Sequence, residues 1–143
     1  MADARDRIRV VLRWIQILDT KEPFFKKAGQ FFFEATVSTG DSGRTVKTRL
    51  PEKGHLTVSE SFSQNRVEFD TVLFEGEAGG PVVVDIHGEE VDRFSRNDPL
   101  PPYRREFGST AEALGWYGPG DETPGQDPEN LGAWRVCYII EKV

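Results

Sequence analysis

The sequence predicts an all-β protein with an antiparallel sandwich fold, and three observations support this prediction. About seven or eight short segments alternate apolar and polar residues with a period of two. Gly, Pro, Asn or acidic residues separate these segments at regular spacing, as turns separate strands. Helix signals are scarce, which argues against a parallel sheet covered by helices. The 143 residues, 37% of them hydrophobic, suffice for one core, so we expect a single domain over residues 1–143.

The first segment, RIRVVLRWIQIL, has the pattern of a half-buried strand. Strict alternation places Ile8, Val10, Leu12 and Trp14 on one face. The arginines at positions 7, 9 and 13 then lie on the opposite, solvent-facing side. We therefore expect Trp14 to belong to the core.

The next segments predict a hairpin followed by three further strands. QFFFEATVST, from Gln30 to Thr39, is rich in aromatic and β-branched residues and ends at the turn sequence GDSG. RTVKTRL then resumes the alternation, so the two segments form a predicted hairpin. The further strands are expected in HLTVSESF, RVEFDTVLFEG and GPVVVDIHG.

The last segment, AWRVCYIIEKV, predicts a strand that is buried on both faces, with Cys137 in the core. The stretch GWYGPGDETPGQ before it is rich in Gly and Pro and predicts a long irregular loop. Two single helical turns are expected. Ser109 and Glu112 form a capping-box pattern, and Asp127 before Pro128 suits the start of a helix.

Composition and motifs exclude several classes of protein. A formal net charge of −6 argues against nucleic-acid binding, which needs a basic surface. A single cysteine permits neither an intrachain disulfide nor a cysteine zinc site, and the two histidines lack a partner motif. No nucleophile, base and oxyanion donor can be assigned together, so we expect no enzymatic activity. Without an apolar run that predicts a signal peptide or a membrane span, we expect a cytoplasmic protein.

One stretch, GEEVDRFSRND, concentrates acidic residues directly after an apolar strand. Its four carboxylates belong to Glu89, Glu90, Asp92 and Asp98. Calcium is bound by six to eight oxygen ligands in flexible geometry, so an acidic loop of this kind is a candidate calcium site. Arg93 and Arg96 offer the alternative, in which the loop neutralises its own charge. The residues by themselves do not decide between a calcium site and internal charge neutralisation.

The stretch VDRFSRNDPL resembles the third calcium-binding loop of the C2 domain, an eight-stranded β-sandwich. That family has Asp-x-Asp-Arg-x-x-x-x-Asp after an apolar strand, and Glu90, Asp92 and Asp98 fall on its three acidic positions. NRVEFDTVLFEG is similar to a second strand motif of the family. ILDTKEPFFKKAGQFFFEATV resembles the first loop and the strand after it, where Asp19 matches the first acidic ligand.

The resemblance has three departures. Gln30 stands where the family has the second acid of the first loop. HGEEVD carries one or two extra residues, so both Glu89 and Glu90 are candidate ligands. The loop GWYGPGDETPGQDPEN is longer than is usual for the family.

The resemblance implies a calcium-binding module that docks to anionic phospholipid and is peripheral to the membrane. Calcium bound in the acidic loops would reverse their local charge and let headgroup phosphates complete its coordination. The expected membrane contacts are Phe94, Arg93, Lys26 and Lys27.

The alternative is a calcium-independent adaptor or assembly subunit that binds a protein. In that case Arg93, Arg96, Arg104 and Arg105 would tie down the acidic loops. Trp116 and Tyr117 would be candidate partner contacts, because aromatic residues are enriched at interface hot spots. Carbohydrate binding would also use exposed aromatic residues and calcium.

Overall fold

The computed structural model describes residues 6–18, 28–40, 44–59, 65–91, 96–119 and 127–143. Within these residues it contains ten strands and one helical turn, which confirms the all-β prediction. The strands are β1 (Asp6–Ile17), β2 (Ala28–Thr39), β3 (Arg44–Leu50), β4 (Leu56–Ser59), β5 (Arg66–Ala78), β6 (Val82–Glu90), β7 (Asp98–Pro99), β8 (Tyr103–Phe107), β9 (Gly115–Tyr117) and β10 (Trp134–Lys142), and the helix is α1 (Thr110–Ala113).

The strands form two antiparallel sheets that pack face to face. The front sheet has the order β5-β1-β10-β9. In the back sheet, β2 and β6 pair at the centre, β3 and β4 both pair with β2, and β7 and β8 both pair with β6. Each edge of the back sheet is thus one broken strand. If each broken edge is counted as one strand, the described residues form two four-stranded sheets, in agreement with an eight-stranded sandwich.

Prolines interrupt both edges of the back sheet. Pro51 follows the end of β3, and Pro101 and Pro102 separate β7 from β8. Proline has no N–H to donate to a ladder and is confined to edges and breaks. The broken edges therefore follow from the sequence.

The predicted hairpin is confirmed, because β2 and β3 pair from Phe33 and Leu50 at one end to Thr39 and Arg44 at the other. The inner faces of both sheets form a continuous hydrophobic core. Its largest fully buried side chains are Trp134, Tyr103, Tyr138, Phe31, Phe33 and Phe74. Trp134 and Phe33 join the two sheets, with ring centroids 5.3 Å apart.

The predicted position of Trp14 in the core is wrong. The pairing register of β1 shifts between Leu12 and Trp14 against both of its neighbours. A β-bulge at Arg13 adds one residue there and reverses the alternation beyond it. Trp14 consequently lies on the outer surface, where the guanidinium carbon of Arg66 sits 4.4 Å from its ring centroid. The buried face consists of Ile8, Val10, Leu12, Ile15 and Ile17.

The final strand agrees with its prediction, and β10 lies inside the front sheet between β1 and β9. Cys137 is 1% exposed, so the expected burial is confirmed, but it lies opposite Trp14 on the outer side of the front sheet. Burial raises the pKa of its thiol. The thiol is therefore protonated and neutral at physiological pH, and the Cys137 side chain contributes to packing.

The Gly-rich stretch before β10 was predicted to be wholly irregular, and this is wrong for Gly115–Tyr117. These residues form β9, because Trp116 and Tyr117 pair with Ile139 and Tyr138 of β10. The backbone groups of β10 on this side are available for pairing, and β9 forms by bonding to them. The local sequence of residues 115–117 does not reveal this pairing.

Of the two predicted helical turns, the one after Ser109 is present, and a non-helical turn takes the place of the other. Ser109 caps α1 by accepting a hydrogen bond from the Glu112 N–H at 3.2 Å. The carboxylate of Asp127 accepts one from the Glu129 N–H at 3.1 Å, which makes a turn and no helix.

A buried polar network closes the side of the sandwich beside β8 and β9. The Tyr103 hydroxyl donates to the Glu129 carboxylate at 2.7 Å and lies 2.6 Å from the Tyr138 hydroxyl. Arg105 donates to the same carboxylate at 2.8 Å. Burial, together with Tyr138 and Glu129 as neighbours, raises the pKa of the Tyr103 hydroxyl. The hydroxyl therefore stays protonated and keeps its role as a donor.

We expect Tyr103→Phe to lower the free energy of unfolding by about 1–3 kcal/mol, because the buried Glu129 carboxylate loses a donor. Urea denaturation measures the loss. Tyr117→Phe is the control, since the half-buried Tyr117 hydroxyl donates to two neutral acceptors, the backbone carbonyls of Ala113 at 2.7 Å and Glu112 at 3.3 Å. The control should lose no more than about 1 kcal/mol. Equal losses in the two variants would contradict a special role for the network.

Candidate functional site

One end of the sandwich, here called the loop end, gathers the strand ends that border the predicted calcium loops. β1 ends there, β2 begins there, and β6 ends there at Glu90. Trp134, the first residue of β10, pairs with Ile17 of β1 and packs on Phe33 of β2. These contacts place the loop-end residues of both sheets side by side.

Six of the predicted site residues lie outside the described residues, in the segments that these strand ends border. They are Asp19, Lys26, Lys27, Asp92, Arg93 and Phe94. Their roles as calcium ligands or membrane contacts stay predictions. Across the described ranges, no group of three or more His, Cys, Asp or Glu side chains is arranged to hold a metal ion.

Glu89 and Glu90 point to opposite faces of the back sheet. Glu90 is 1% exposed and continues the inward-facing series that includes Val84 and Ile86. Glu89 is half-buried on the outer surface. This separation follows from the period of two in a strand. Of the two alternatives that the sequence offered, only Glu90 faces the interior at the loop end.

Asp98 lies directly opposite Glu90 in the pairing of β6 with β7. Residues opposed in this way in an antiparallel pair have Cβ atoms about 4.5–5.5 Å apart. Asp98 is exposed, whereas Glu90 is buried. The structure thus brings two of the predicted acidic ligands together, one at the surface and one behind it.

The backbone of β2 at Gly29 leaves room for the Glu90 carboxylate. A methyl group at Gly29 would overlap Oε2 of Glu90 and would lie 2.8 Å from a ring carbon of Phe31. Gly29 is itself buried. A side chain at this position would therefore displace the carboxylate or the ring.

The two predicted partner contacts have different environments. Trp116 is 61% exposed on the outer face of the front sheet, and its role as a partner contact stays a prediction. Tyr117 is half-buried, packs against Phe107 and Tyr138, and lies under Arg105 at 4.8 Å from the guanidinium carbon. Tyr117 is therefore a packing residue of the closed side of the sandwich.

Arg104 and Arg105 do not neutralise the acidic loop. Arg104 pairs with Asp85 at 3.0 Å, and Arg105 pairs with Glu129 at 2.8 Å. Both arginines lie on β8, whose register places them opposite Asp85 and Val84, well back from the loop end. This part of the charge-neutralisation alternative is wrong.

The front sheet also carries an aromatic groove that the sequence did not reveal. It has a volume of about 360 Å³, and Trp14 and Trp116 line it together with Arg13, Arg66, Glu68, Cys137 and Ile139. The groove exists because the bulge at Arg13 turns Trp14 outward. No signal in the sequence marks this bulge, since the alternation remains plausible without it.

Comparisons with known proteins agree with the fold. No protein-family model and no curated protein matches the chain. Among solved structures, the chain is similar to part of human GIVD cytosolic phospholipase A2 in complex with the inhibitor methyl γ-linolenyl fluorophosphonate and terbium chloride. The TM-score is 0.52 at 12% identity, and the alignment covers 100% of this chain and 18% of the phospholipase chain. At this identity the likeness shows the fold alone, a β-sandwich.

The single helix described, α1, has four residues, and none of the described helical structure is long and apolar enough to cross a bilayer.

We expect Gly29→Ala to destabilise the protein by about 1–3 kcal/mol, because the added methyl group meets a buried carboxylate and a buried ring. Thermal or urea unfolding measures the change. Gly108→Ala is the matched control. Its methyl group would also meet a glutamate oxygen, Oε2 of Glu112 at 2.8 Å, but Glu112 is exposed and can move away. Equal destabilisation by both substitutions would contradict the fixed position of Glu90.

Proposed function

We propose that the protein is a C2-like module that binds calcium at the loop end and docks there to anionic phospholipid. The observation that carries this proposal is the pairing of Glu90 with Asp98 where β6 ends. In the sequence, Asp92 lies between these two residues, and Asp19 follows the end of β1, which lies at the same end of the sandwich. Glu90 and Asp98 lie at the loop end, and in this proposal Asp19 and Asp92 join them there.

The donor set suits calcium. Calcium takes six to eight oxygen ligands from carboxylates, main-chain carbonyls and water. In this proposal Glu90 and Asp98 contribute from the ordered strand ends, and Asp19 and Asp92 contribute from the adjoining segments. Glu89 is left out of the ligand set, because it faces the outer surface of the back sheet.

Electrostatics supports a calcium-controlled switch. The chain has a net charge of −6, and its acidic loop end would repel an anionic membrane in the absence of calcium. A bound divalent cation is the largest local charge in such a site and reverses the local sign. Headgroup phosphates can then complete the coordination shell of the ion.

The likeness to the phospholipase is consistent with this proposal. The chain aligns with 18% of the chain of a cytosolic phospholipase A2, in a structure that also holds terbium chloride. The family resemblance of VDRFSRNDPL and the sandwich fold point to the same class of module.

The membrane contacts are part of the same proposal. Phe94 would insert at the level of the headgroups, next to the acidic residues of its loop. Arg93, Lys26 and Lys27 would add attraction to anionic lipid of about 1 kcal/mol each. The module would thus act at the cytoplasmic surface of a membrane.

A second candidate function, docking to a protein, is favoured by the front-sheet groove. Trp116 is 61% exposed, and Trp and Arg are the residue types most enriched at interface hot spots. This function requires no calcium, so calcium dependence separates the two candidates.

We expect calcium to raise the melting temperature. A ligand of the native state stabilises it by RT ln(1 + [L]/Kd), which is about 1.4 kcal/mol at tenfold excess over Kd. For a domain of this size that corresponds to a shift of about 4–6 °C. Thermal unfolding in EDTA and then in increasing calcium measures the shift, and no shift at millimolar calcium would exclude the site.

The same experiment on variants locates the site. Asp92→Asn with Asp98→Asn should abolish the calcium shift. Asp70→Asn with Asp85→Asn removes the same number of charges from the outer faces of β5 and β6, and should keep it. Loss of the shift in both pairs would indicate a general charge effect.

We also expect calcium-dependent sedimentation with liposomes that contain phosphatidylserine, and none with pure phosphatidylcholine. Phe94→Ser should weaken sedimentation while leaving the calcium shift in melting temperature intact. Calcium binding without liposome binding would refute the membrane part of the proposal.

A further inference from the structure

A separate cavity of about 300 Å³ opens on the outer surface of the back sheet. Its polar lining consists of Glu34, His87 and Glu89, which lie on neighbouring strands. Glu34 of β2 is directly opposite His87 of β6, and Phe32 is directly opposite Glu89. We call this cavity the back-sheet pocket. It does not belong to the loop-end site, because Glu89 and Glu90 face opposite sides of the sheet.

The wall of the pocket is apolar and is built by the break between β7 and β8. Pro99, Leu100 and Pro102 line it, with Phe32 on the other side. Leu100 is held in place, because its N–H donates to the Gly88 carbonyl at 2.9 Å and its side chain is buried. Ligand sites are typically concave and mostly apolar with a few polar groups, and the back-sheet pocket has this character.

On the outer face of the back sheet, most carboxylates pair with a cation of the protein, and one does not. Glu34 pairs with Lys47 at 2.8 Å, and Asp85 pairs with Arg104 at 3.0 Å. Arg104 also lies 3.8 Å from Glu106. Glu89 is the exception on this face, because it makes no ion pair or hydrogen bond with any described residue.

From this geometry we propose that the back-sheet pocket receives a basic side chain, lysine or arginine, of a protein partner. Such a side chain combines an apolar stem with a cationic head. The stem would pack between Phe32 and the proline wall, and the head would pair with the Glu89 carboxylate. A cationic side chain of the protein already packs on the ring of Phe32. The guanidinium carbon of Arg49 lies 4.8 Å from the centroid of this ring.

The Glu89 carboxylate disfavours an anionic occupant of the pocket. An anionic lipid or a phosphopeptide would place its charge against this carboxylate, which makes no ion pair with any described residue. A metal ion is disfavoured, because the residues of the pocket are not arranged as a ligand group in the described part of the chain. The net charge of −6 favours the approach of a basic segment.

The test is an NMR titration of the ¹⁵N-labelled chain with two capped tripeptides, Gly-Lys-Gly and Gly-Arg-Gly. The buffer contains EDTA, so that the outcome is independent of calcium binding. We expect saturable shifts of the amides of His87, Gly88 and Leu100, with Kd in the millimolar range. Gly-norleucine-Gly, which has the stem without the charge, should produce shifts at least threefold weaker.

Glu89→Gln should weaken the binding of both basic peptides about three- to fivefold and leave the melting temperature unchanged. Asp85→Asn is the matched control on the same strand, because Asp85 already has Arg104 as its partner. It should leave the affinity unchanged. Shifts scattered over the acidic surface, or equal binding by Glu89→Gln and the wild type, would overturn the proposal.

Discussion

The structure depends on the burial of the two inner sheet faces against each other, which includes the packing of Trp134 of β10 on Phe33 of β2. This burial provides the main favourable free energy of folding. Because side chains alternate across a strand, fixing the inner face also fixes every outward residue. The positions of Glu89 and Glu90, and therefore the two separate sites proposed, follow from this constraint. A one-residue slip of β6 would exchange them.

The two sides of the sandwich are closed by different chemistry. Beside β8 and β9, the hydroxyls of Tyr103 and Tyr138 and the carboxylate of Glu129 are buried, and each has a hydrogen-bond partner. A buried polar group that loses its partner costs about 1–3 kcal/mol, so the network contributes most when every member has its partner. On the opposite side, β3 and β5 are the sheet edges, and Arg44 covers the ring of Phe74 at 5.1 Å from its centroid.

Charge is distributed so that most carboxylates on the outer faces have a cation beside them. On the front sheet, Arg9 pairs with Glu75 and with Glu141 across three adjacent strands. These pairs are exposed and contribute little stability, but they keep the outer faces close to neutral. Asp98 and Glu89 depart from this pattern. Asp98 lies at the loop end and Glu89 in the back-sheet pocket, and each of them can pair with a cation from outside the chain.

The sequence by itself determined the all-β class, the hairpin of β2 and β3, the strand character of β10 and the cap at Ser109, because each depends on local alternation, turn residues or capping. It also indicated the acidic stretch around Asp98. Only the tertiary structure decided that Trp14 faces outward, that Trp116 lies on an edge strand, and that Glu90, and not Glu89, faces inward at the loop end. Bulges and edge pairing depend on the hydrogen bonds of neighbouring strands, which no local pattern encodes.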